Sequence, residues 1–197
     1  MERTNTEGTI RLYGTPAEEG GSGKVYITRE GYFDDVDVVL HWHPDDSNRA
    51  HYSSSNGNKS ARFKFKGISA HAAGAPQNGR SALDGVEAMN MMVNMMREHM
   101  DEEARIHYVI TKGGLAPNVV PEEAEVYYYV RHPEVEGVKE LFNRVVMTAE
   151  GAARGTETQM TFEVMHGNYP LMPNKTLSSQ IDEELNLSLI HISEPTR

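Results

Sequence analysis

The fold class is clearest in "AEVYYYVRHPEVEGVKELFNRVVMTAEG", which runs from Ala124 to Gly151. Its first eight residues are rich in the β-branched and aromatic side chains that are typical of a strand. From Glu134 onwards, apolar residues recur at helical spacing and form a stripe along one side. The stripe consists of Val138, Leu141, Phe142, Val145, Val146 and Ala149. A strand is therefore followed directly by an amphipathic helix.

Strands and helices alternate on both sides of this stretch. Before it come a strand "ARFKFKGIS", a helix from Ser81 to Met100 and a strand "IHYVIT", and after it comes a strand "MTFEVMH". The order βαββαβ predicts a ferredoxin-like α+β sandwich, with two helices over one antiparallel sheet. We place this domain at residues 57–166. The preceding stretch from Pro44 to Ser60 is too rich in Gly, Asn and Ser to pack, and it predicts a domain boundary.

The N-terminal part has a different pattern. "GTIRLYG" (Gly8 to Gly14) and "VDVVLHWH" (Val36 to His43) are predicted strands on either side of a short helix near Gly23 to Glu30. This strand, helix, strand unit predicts that residues 1–56 are part of an α/β domain, to which residues 167–186 return. The last segment, residues 187–197 ("LSLIHISEPTR"), corresponds to the translation of a transposon sequencing adapter, and we expect it not to be native.

Composition excludes several classes of function. The 197 residues carry a formal charge of −10, and their Lys and Arg residues are scattered, which argues against nucleic acid as a partner. Cysteine is absent, so disulfides and thiolate metal sites are excluded. Nowhere do 18 apolar residues run together, so we expect no membrane association. These features predict a soluble cytoplasmic protein.

An acid pair lies in the glycine-rich turn "GTPAEEGGSGK". A phosphate-binding loop of the GxxxxGK[ST] type is excluded, because it would need Gly in place of Glu18 and Ser or Thr in place of Val25. Glu18 and Glu19 are then either solvated acids at a helix N-terminus or part of a metal site with His41. The second interpretation follows because Zn²⁺ and Mn²⁺ are bound by imidazole and carboxylate together. His43 is expected to be only a neighbour of such a site.

The helix from Ser81 to Met100 has an unusually wide apolar face. Eight residues cover about 200° of its circumference, whereas a helix on one sheet needs only about 100°. They are Ala88, Met89, Met91, Met92, Val93, Met95, Met96 and Met100. Either the helix is deeply buried with methionine filling gaps, or part of this face contacts a second subunit.

Four motifs carry a resemblance to a known family. They are "PAEEGGSGK", "LHWHP", "GISAHAAGAPQNGRSALDGVEAMN" and "GGLAPNVVPEEAEV", and they occur in the order of that family. The chain resembles the metal-dependent amidohydrolases and peptidases that include aminoacylases, hippurate hydrolases and glutamate carboxypeptidases. The resemblance implies an α/β catalytic domain with a ferredoxin-like lid, through which two copies, or a copy and a related second subunit, form a dimer.

The same resemblance implies an activity and its cofactors. It implies hydrolysis of the amide bond of a small N-acyl or N-aroyl amino acid, with the folate breakdown product p-aminobenzoyl-glutamate as the expected substrate. It also implies two divalent ions, Mn or Zn, in each complete site. Further metal ligands of the family belong to segments that lie before and after these residues. We therefore expect a fragment with a partial catalytic domain, or alternatively a non-catalytic dimerisation module.

Carried over position by position, the resemblance assigns roles to five residues. Glu18 matches the general base that activates the attacking water, and Glu19 and His41 match metal ligands. His71 matches a catalytic histidine that reaches the partner's site and polarises the scissile carbonyl. Asn118 matches a substrate-contacting position. Arg131 lies outside the four motifs, at the end of "YYYVR", and it could pair with a substrate carboxylate.

Blander interpretations stay open for three of these residues. His71 could be a turn or cap residue, since a lone histidine after a strand often is. Asn118 could serve only turn chemistry beside its Gly and Pro neighbours. Arg131 could be an exposed arginine of an edge strand.

Overall fold

The computed structural model describes residues 7–47 and 49–187. They belong to two compact units, residues 1–39 and residues 40–197, and each is described by itself. The residues from 188 onwards, which include most of the segment predicted to be an adapter translation, lie outside the described residues.

Residues 7–39, the described part of the smaller unit, include the short helical segments α1 (Glu18–Gly21) and α2 (Gly23–Arg29). An ion pair between Arg11 and Asp35 and an edge-to-face contact of Tyr13 with Phe33 hold its ends together. The predicted helix near Gly23 is confirmed.

The two strands predicted around that helix are wrong for this structure. Residues 8–14 and 36–43 have no strand assignment, and among the described residues they pair with no sheet. Ile10 and Leu12 are 82% and 98% exposed, so their apolar side chains have no layer to pack against. An extended segment needs a neighbouring strand to satisfy its backbone N–H and C=O groups. Without one, the β-branched composition of these segments is not enough to form strands.

The described residues of the larger unit form four strands and three α-helices. In chain order they are β1 (Gly57–Lys66), α3 (Ala82–Met96), β2 (Arg105–Lys112), β3 (Glu123–His132), α4 (Val135–Gly155), β4 (Gln159–Asn168) and α5 (Lys175–Leu187). Up to β4 the order is βαββαβ, as predicted. The four strands form one antiparallel sheet in the order β2-β3-β1-β4. The polar stretch predicted as a domain boundary, residues 44–60, extends four residues too far. Gly57 to Ser60 already belong to β1 and are mostly buried.

Helices α3 and α4 cover one face of the sheet and enclose the core. Alternate residues of each strand point into it, as the two-residue period of a strand requires. β1 contributes Ala61, Phe63 and Phe65, β3 contributes Ala124, Val126, Tyr128 and Val130, and the helices contribute mainly Val86, Met89, Val93, Leu141, Phe142 and Val145. The intervening residues of β1 and β3 lie on the other side of the sheet, which we call the open face.

Two local features fix helix α3 against the sheet. Ser81 caps its N-terminus, since the Ser81 hydroxyl accepts a hydrogen bond of 3.1 Å from the Asp84 N–H. Gly85 lies where the helix crosses Phe65, and a Cβ at that position would be 2.6 Å from the ring. A glycine is therefore needed for the close approach of helix and strand, despite its low helix propensity.

A β-bulge interrupts the pairing of β1 with β4. Ser60 pairs with His166 but the next residue, Ala61, pairs with Val164, so Met165 has no partner residue on β1. The extra residue changes the alternation of β4. As a result, Val164 lies on the core side of the sheet and His166 lies on the open face, above Ser60.

The chain enters and leaves the sheet at the same place. Asn58 near the start of β1 pairs with Asn168 at the end of β4. The segments outside the two strands also contact each other, because the Ser54 hydroxyl donates to the Leu171 carbonyl at 2.7 Å and the Leu171 N–H donates to the Ser55 hydroxyl at 3.0 Å.

Tyr128 offers a test of the core. Its ring is fully buried and its hydroxyl donates to the Asn90 side-chain carbonyl at 2.5 Å, while burial raises the pKa of the Tyr128 hydroxyl. We expect Tyr128→Phe to lower the free energy of unfolding by about 1–3 kcal/mol, because it leaves a buried amide oxygen unsatisfied. Urea unfolding measures the change. Tyr169→Phe is the control, since Tyr169 is exposed, and equal midpoints for both variants would contradict the prediction.

Candidate functional site

The acid pair lies in a tightly constrained turn. Ala17 and Ser22 both have left-handed backbone angles, with φ of 55° and 49°. The Gly23 N–H donates to the Ala17 carbonyl at 3.2 Å, and a Cβ on Gly23 would be 2.0 Å from the Pro16 carbonyl oxygen. Non-glycine residues in the left-handed region are uncommon and occur preferentially at functional sites. The turn presents the exposed side chains of Glu18 and Glu19 to solvent.

His41 lies in the other compact unit, in an extended segment without regular secondary structure, and its side chain is exposed. In the neighbouring residue His43, ring atom Nδ1 lies within hydrogen-bond distance of the Pro44 carbonyl oxygen, at 2.8 Å. Among residues 7–47 and 49–187, no three His, Asp or Glu side chains come together as a metal-binding group. The pairing of Glu19 with His41 on a metal stays a prediction.

His71 lies in the loop after β1, and its ring has a defined orientation. Its Nδ1 accepts hydrogen bonds from the Ala73 N–H at 3.2 Å and the Gly74 N–H at 3.0 Å. A neutral ring with Nδ1 as acceptor carries its proton on Nε2. Through Nδ1, the histidine thus caps the turn, which is the structural role considered for it from the sequence. The other nitrogen has no partner in the described chain and is available to donate to a carbonyl oxygen.

Asn118 lies beside His71. The Ala72 N–H donates to the Asn118 carbonyl at 3.0 Å, and His71 forms a β-bridge with Val119. Asn118 is in a turn closed by the Val119 N–H and the Ala116 carbonyl, so turn chemistry is present at this position. Its side chain is exposed. The two loops therefore bring His71 and Asn118 together, although 46 residues separate them in the chain.

Arg131 lies at the opposite end of the sheet from these two residues. The loop of His71 meets the start of β3, where the Gly67 N–H donates to the Glu122 carbonyl at 2.8 Å. From there β3 runs to Arg131, and its residues rise by ~3.3 Å each, so the separation is about 26 Å. A single copy of the chain thus cannot bring the histidine and the arginine to the same small substrate.

The surroundings of Arg131 differ from those of a surface arginine. β3 is an interior strand, so the interpretation of Arg131 as an edge-strand residue is wrong. Its side chain is half-buried on the open face, and its guanidinium lies 5.5 Å from the centre of the Tyr129 ring. Arg131 Nε is buried without a hydrogen-bond partner. Within the described chain, no carboxylate oxygen lies within 4.0 Å of this guanidinium.

A second arginine on the open face provides a comparison. Arg62 also lies over a tyrosine, with its guanidinium 4.6 Å from the centre of the Tyr127 ring. Unlike Arg131, it is paired with a carboxylate, since Nη1 donates to Glu125 at 2.5 Å. A half-buried cation without a counter-ion favours binding of an anion. The open face therefore has one arginine whose charge is balanced and one that could bind a carboxylate.

Two histidines lie in the row of Tyr129, next to the row of Arg131, and are affected by the charge of Arg131. The pKa of His107 on β2 is lowered, first by burial and then by the positive charge of Arg131. The pKa of His166 on β4 is lowered by the same two causes. His166 Nε2 also lies 3.1 Å from the Tyr129 hydroxyl, and their rings meet edge to face. While both imidazoles stay neutral, the electrostatic potential around Arg131 is positive.

The sequence-based predictions included Arg131 but not His107, Tyr129 or His166. The strand period of "YYYVR" places Tyr129 on the face of Arg131, so that tyrosine could have been found. His166 could not, because it reaches the open face only through the bulge at Met165.

The methionine face of α3 is only partly covered by the sheet. Met89 is buried, but Met91 and Met95 are 61% and 66% exposed. These two line a groove of about 530 Å³ with Tyr108 and Ile110 of β2, together with Glu87, Asn90 and Asn94. Because β2 is an edge strand, the groove lies beside unpaired backbone groups.

Comparison with known proteins places this geometry in a family. The family model of the peptidase dimerisation domain, M20_dimer, matches residues 53–157. The chain is 45% identical to one of the subunits of p-aminobenzoyl-glutamate hydrolase of Escherichia coli (strain K12), with 94% of this chain and 39% of that protein covered. It is 34% identical to Xaa-Arg dipeptidase of Mus musculus, with 94% of this chain and 43% of that protein covered. The chain thus spans about two fifths of the length of these relatives.

A solved structure shows the same fold. The aminobenzoyl-glutamate utilization protein from Klebsiella pneumoniae superposes with a TM-score of 0.65 at 22% identity, covering 84% of this chain and 43% of that one. No helix of the described residues is long and apolar enough to cross a membrane. On the family match over more than half of its length, the chain belongs to the M20 peptidases and contains their dimerisation domain.

Proposed function

We propose that this chain is part of a metal-dependent amidohydrolase that cleaves the amide bond of an N-aroyl amino acid, with p-aminobenzoyl-glutamate as its substrate. The observation that carries the proposal is Arg131, a half-buried cation without a carboxylate partner in the described chain. Every N-acyl amino acid has a carboxylate next to its amide bond, and a guanidinium binds such a group through two parallel hydrogen bonds.

The charge around Arg131 favours an acidic leaving amino acid. The names of two relatives point to different products, glutamate for the E. coli protein and arginine for the mouse dipeptidase. Arg105 is the direct partner of Arg131 on β2, and the charges of Arg131, Arg97 and Arg105 all act on nearby His107, so the surrounding electrostatic potential is positive. A cationic side chain would be repelled there, whereas the second carboxylate of glutamate would be attracted.

For catalysis, we assign one proton transfer to Glu18 and one hydrogen bond to His71. Glu18 takes the proton of the attacking water as its oxygen bonds to the carbonyl carbon, and then delivers that proton to the leaving nitrogen as the amide bond breaks. His71 donates its Nε2–H to the carbonyl oxygen, where negative charge develops. The Nδ1 contacts with the loop backbone keep the ring in the required tautomer.

Glu19 and His41 would hold the metal. Carboxylate oxygen and imidazole nitrogen are the donors that Zn²⁺ and Mn²⁺ accept, so the residue types fit. A bound divalent ion would supply a Lewis acid that polarises the carbonyl and lowers the pKa of a water.

The N-terminal segments fit a catalytic α/β domain. We infer that residues 8–14 and 36–43 become strands when a larger sheet supplies their neighbours. Their apolar side chains support this, since Ile10 and Leu12 are almost fully exposed in the structure. The acid turn would then follow the first strand at the sheet edge where α/β proteins bind ligands.

We further propose that two copies, or a copy and a related subunit, associate through the groove of α3 and β2. Met91 and Met95 supply exposed apolar surface, and the edge strand β2 supplies unpaired backbone groups. Because His71 and Arg131 lie about 26 Å apart along β3, a dimer can complete each site with His71 of one copy and Arg131 of the other.

A second candidate is that the chain acts only as a dimerisation module. The observation in its favour is that the matched family model covers only the lid. Metal titration separates the two candidates: weak or absent binding by the 197-residue chain, with tight binding by a full-length protein, identifies the chain as one part of an enzyme.

The assignment of Arg131 is tested by kinetics in a full-length protein. We expect Arg131→Met to raise KM for p-aminobenzoyl-glutamate about 10–100-fold, because a hydrogen bond to a charged group contributes about 1.5–3 kcal/mol. Arg62→Met is the matched control, since that arginine is already paired with Glu125. If Arg131→Met and the wild type have the same KM, the carboxylate site is not at Arg131.

A further inference from the structure

Asn58 is buried next to Arg131 although both lie on the open face. The two residues are direct partners in the pairing of β1 with β3. Side chains of such antiparallel partners have Cβ atoms about 4.5–5.5 Å apart, within reach of each other. Asn58 is only 7% exposed, with Arg131 of β3 on one side and Asn168 of β4 on the other.

Both side chains have an unsatisfied polar atom. Within the described chain, Asn58 Oδ1 and Arg131 Nε are buried without a hydrogen-bond partner. One is an acceptor and the other is a donor. An unpaired polar group in a buried position is unfavourable, and buried groups are rarely left so without a reason.

We propose that Asn58 is a positioning residue for Arg131, accepting a hydrogen bond from Arg131 Nε–H when the guanidinium binds the carboxylate of the substrate. This inference rests on the proposed function of Arg131. This one hydrogen bond satisfies both atoms at once, and it is strengthened by the charge of the guanidinium.

The hydrogen bond between Asn58 and Arg131 determines how the guanidinium binds the carboxylate. A free guanidinium offers a carboxylate either its side, through Nε and one Nη, or its end, through both Nη atoms. With Nε engaged by Asn58, only the end remains. The Tyr129 ring supports one face of the guanidinium, at 5.5 Å from its centre. The direction in which the amide bond leaves the carboxylate is thereby fixed, which is what a positioning residue contributes to catalysis.

The test is an NMR titration of the 197-residue chain with N-acetyl-L-glutamate, following the Nε–H signal of Arg131. We expect the ligand to shift this signal and to slow its exchange with water. Asn58→Ala should abolish the slowed exchange and weaken binding about tenfold, whereas Asn58→Asp should retain the slowed exchange, because it keeps an acceptor, but bind the anion more weakly. Asn143→Ala, on the exposed surface of α4, is the control and should behave as wild type.

A double-mutant comparison separates positioning from a general structural role. Lysine has no Nε–H, so in an Arg131→Lys background we expect Asn58→Ala to change the affinity less than about twofold. An equal loss in both backgrounds would overturn the inference, and so would an Nε–H response that survives Asn58→Ala. If N-acetyl-L-glutamate leaves the Arg131 signal of the wild type unchanged, the carboxylate site itself fails, and the inference fails with it.

Discussion

Glu18→Ala is expected to lower kcat for p-aminobenzoyl-glutamate by about 10²–10⁴-fold in a full-length protein, with the metal content nearly unchanged. The reason is that this carboxylate is assigned to the proton and not to the ion. Its turn holds the backbone in an uncommon conformation, with left-handed angles at Ala17 and Ser22, and keeps both acids exposed. Steady-state kinetics together with metal analysis of the same preparation measure both parts of the expectation.

The neighbouring acid provides the contrast. Glu19→Ala should lose metal as well as activity, since a ligand is removed. Glu30→Ala is the matched control, because Glu30 ends α2 on the exposed surface and should leave both quantities unchanged. A Glu18→Ala protein with ordinary kcat would show that the general base is another residue. If Glu18→Ala loses metal and Glu19→Ala does not, then Glu18 is the metal ligand and Glu19 is the base.

The second large effect is expected from mixing two inactive proteins. Full-length Glu18→Ala and His71→Ala variants should each be nearly inactive, because each lacks one group at every site. After subunit exchange, half of the dimers are mixed, and one of the two sites in each mixed dimer has both groups intact. Activity should therefore recover to about a quarter of the wild-type value, which a colorimetric assay of the released p-aminobenzoate can follow over time.

The same exchange depends on the groove between α3 and β2. Met91→Glu combined with Met95→Glu places like charges opposite each other across a two-fold axis, so sedimentation should show monomers and mixing should restore nothing. Met147→Glu combined with Met172→Glu is the control, since both methionines are exposed elsewhere. Full activity in a sedimenting monomer would refute the shared site and leave His71 as a turn cap.

The fold of the lid was predictable from sequence because the apolar pattern within each helix and strand is enough to identify that element. The stripe of α4 and the alternation of β3 each specify which side is buried, and the two requirements agree on one sandwich. The N-terminal strands were not predictable in this way. Residues 8–14 have the composition of a strand, but a strand forms only against a neighbour, and none of the described residues pairs with it.

The candidate site was predictable only in part for a similar reason. The resemblance of motifs supplied Glu18, His71 and Asn118 but could not show which of them lie together. Whether two residues lie on the same face of the sheet depends on the strand register. For His166, the one extra residue at Met165 determines the face on which its side chain lies. The surroundings of Asn58 likewise depend on its pairing with Asn168 of β4, more than 100 positions further along the chain.

The adjacent entry and exit of the lid have an evolutionary consequence. Because β1 begins beside the end of β4, the whole domain is connected to the rest of the chain by two neighbouring segments, held together by the Ser54 and Ser55 contacts with Leu171. A domain of this kind can be inserted into a surface loop of another protein, since the ends of the loop need hardly move apart. The lid could thus be gained, lost or exchanged in a single genetic event, while the host domain keeps its fold.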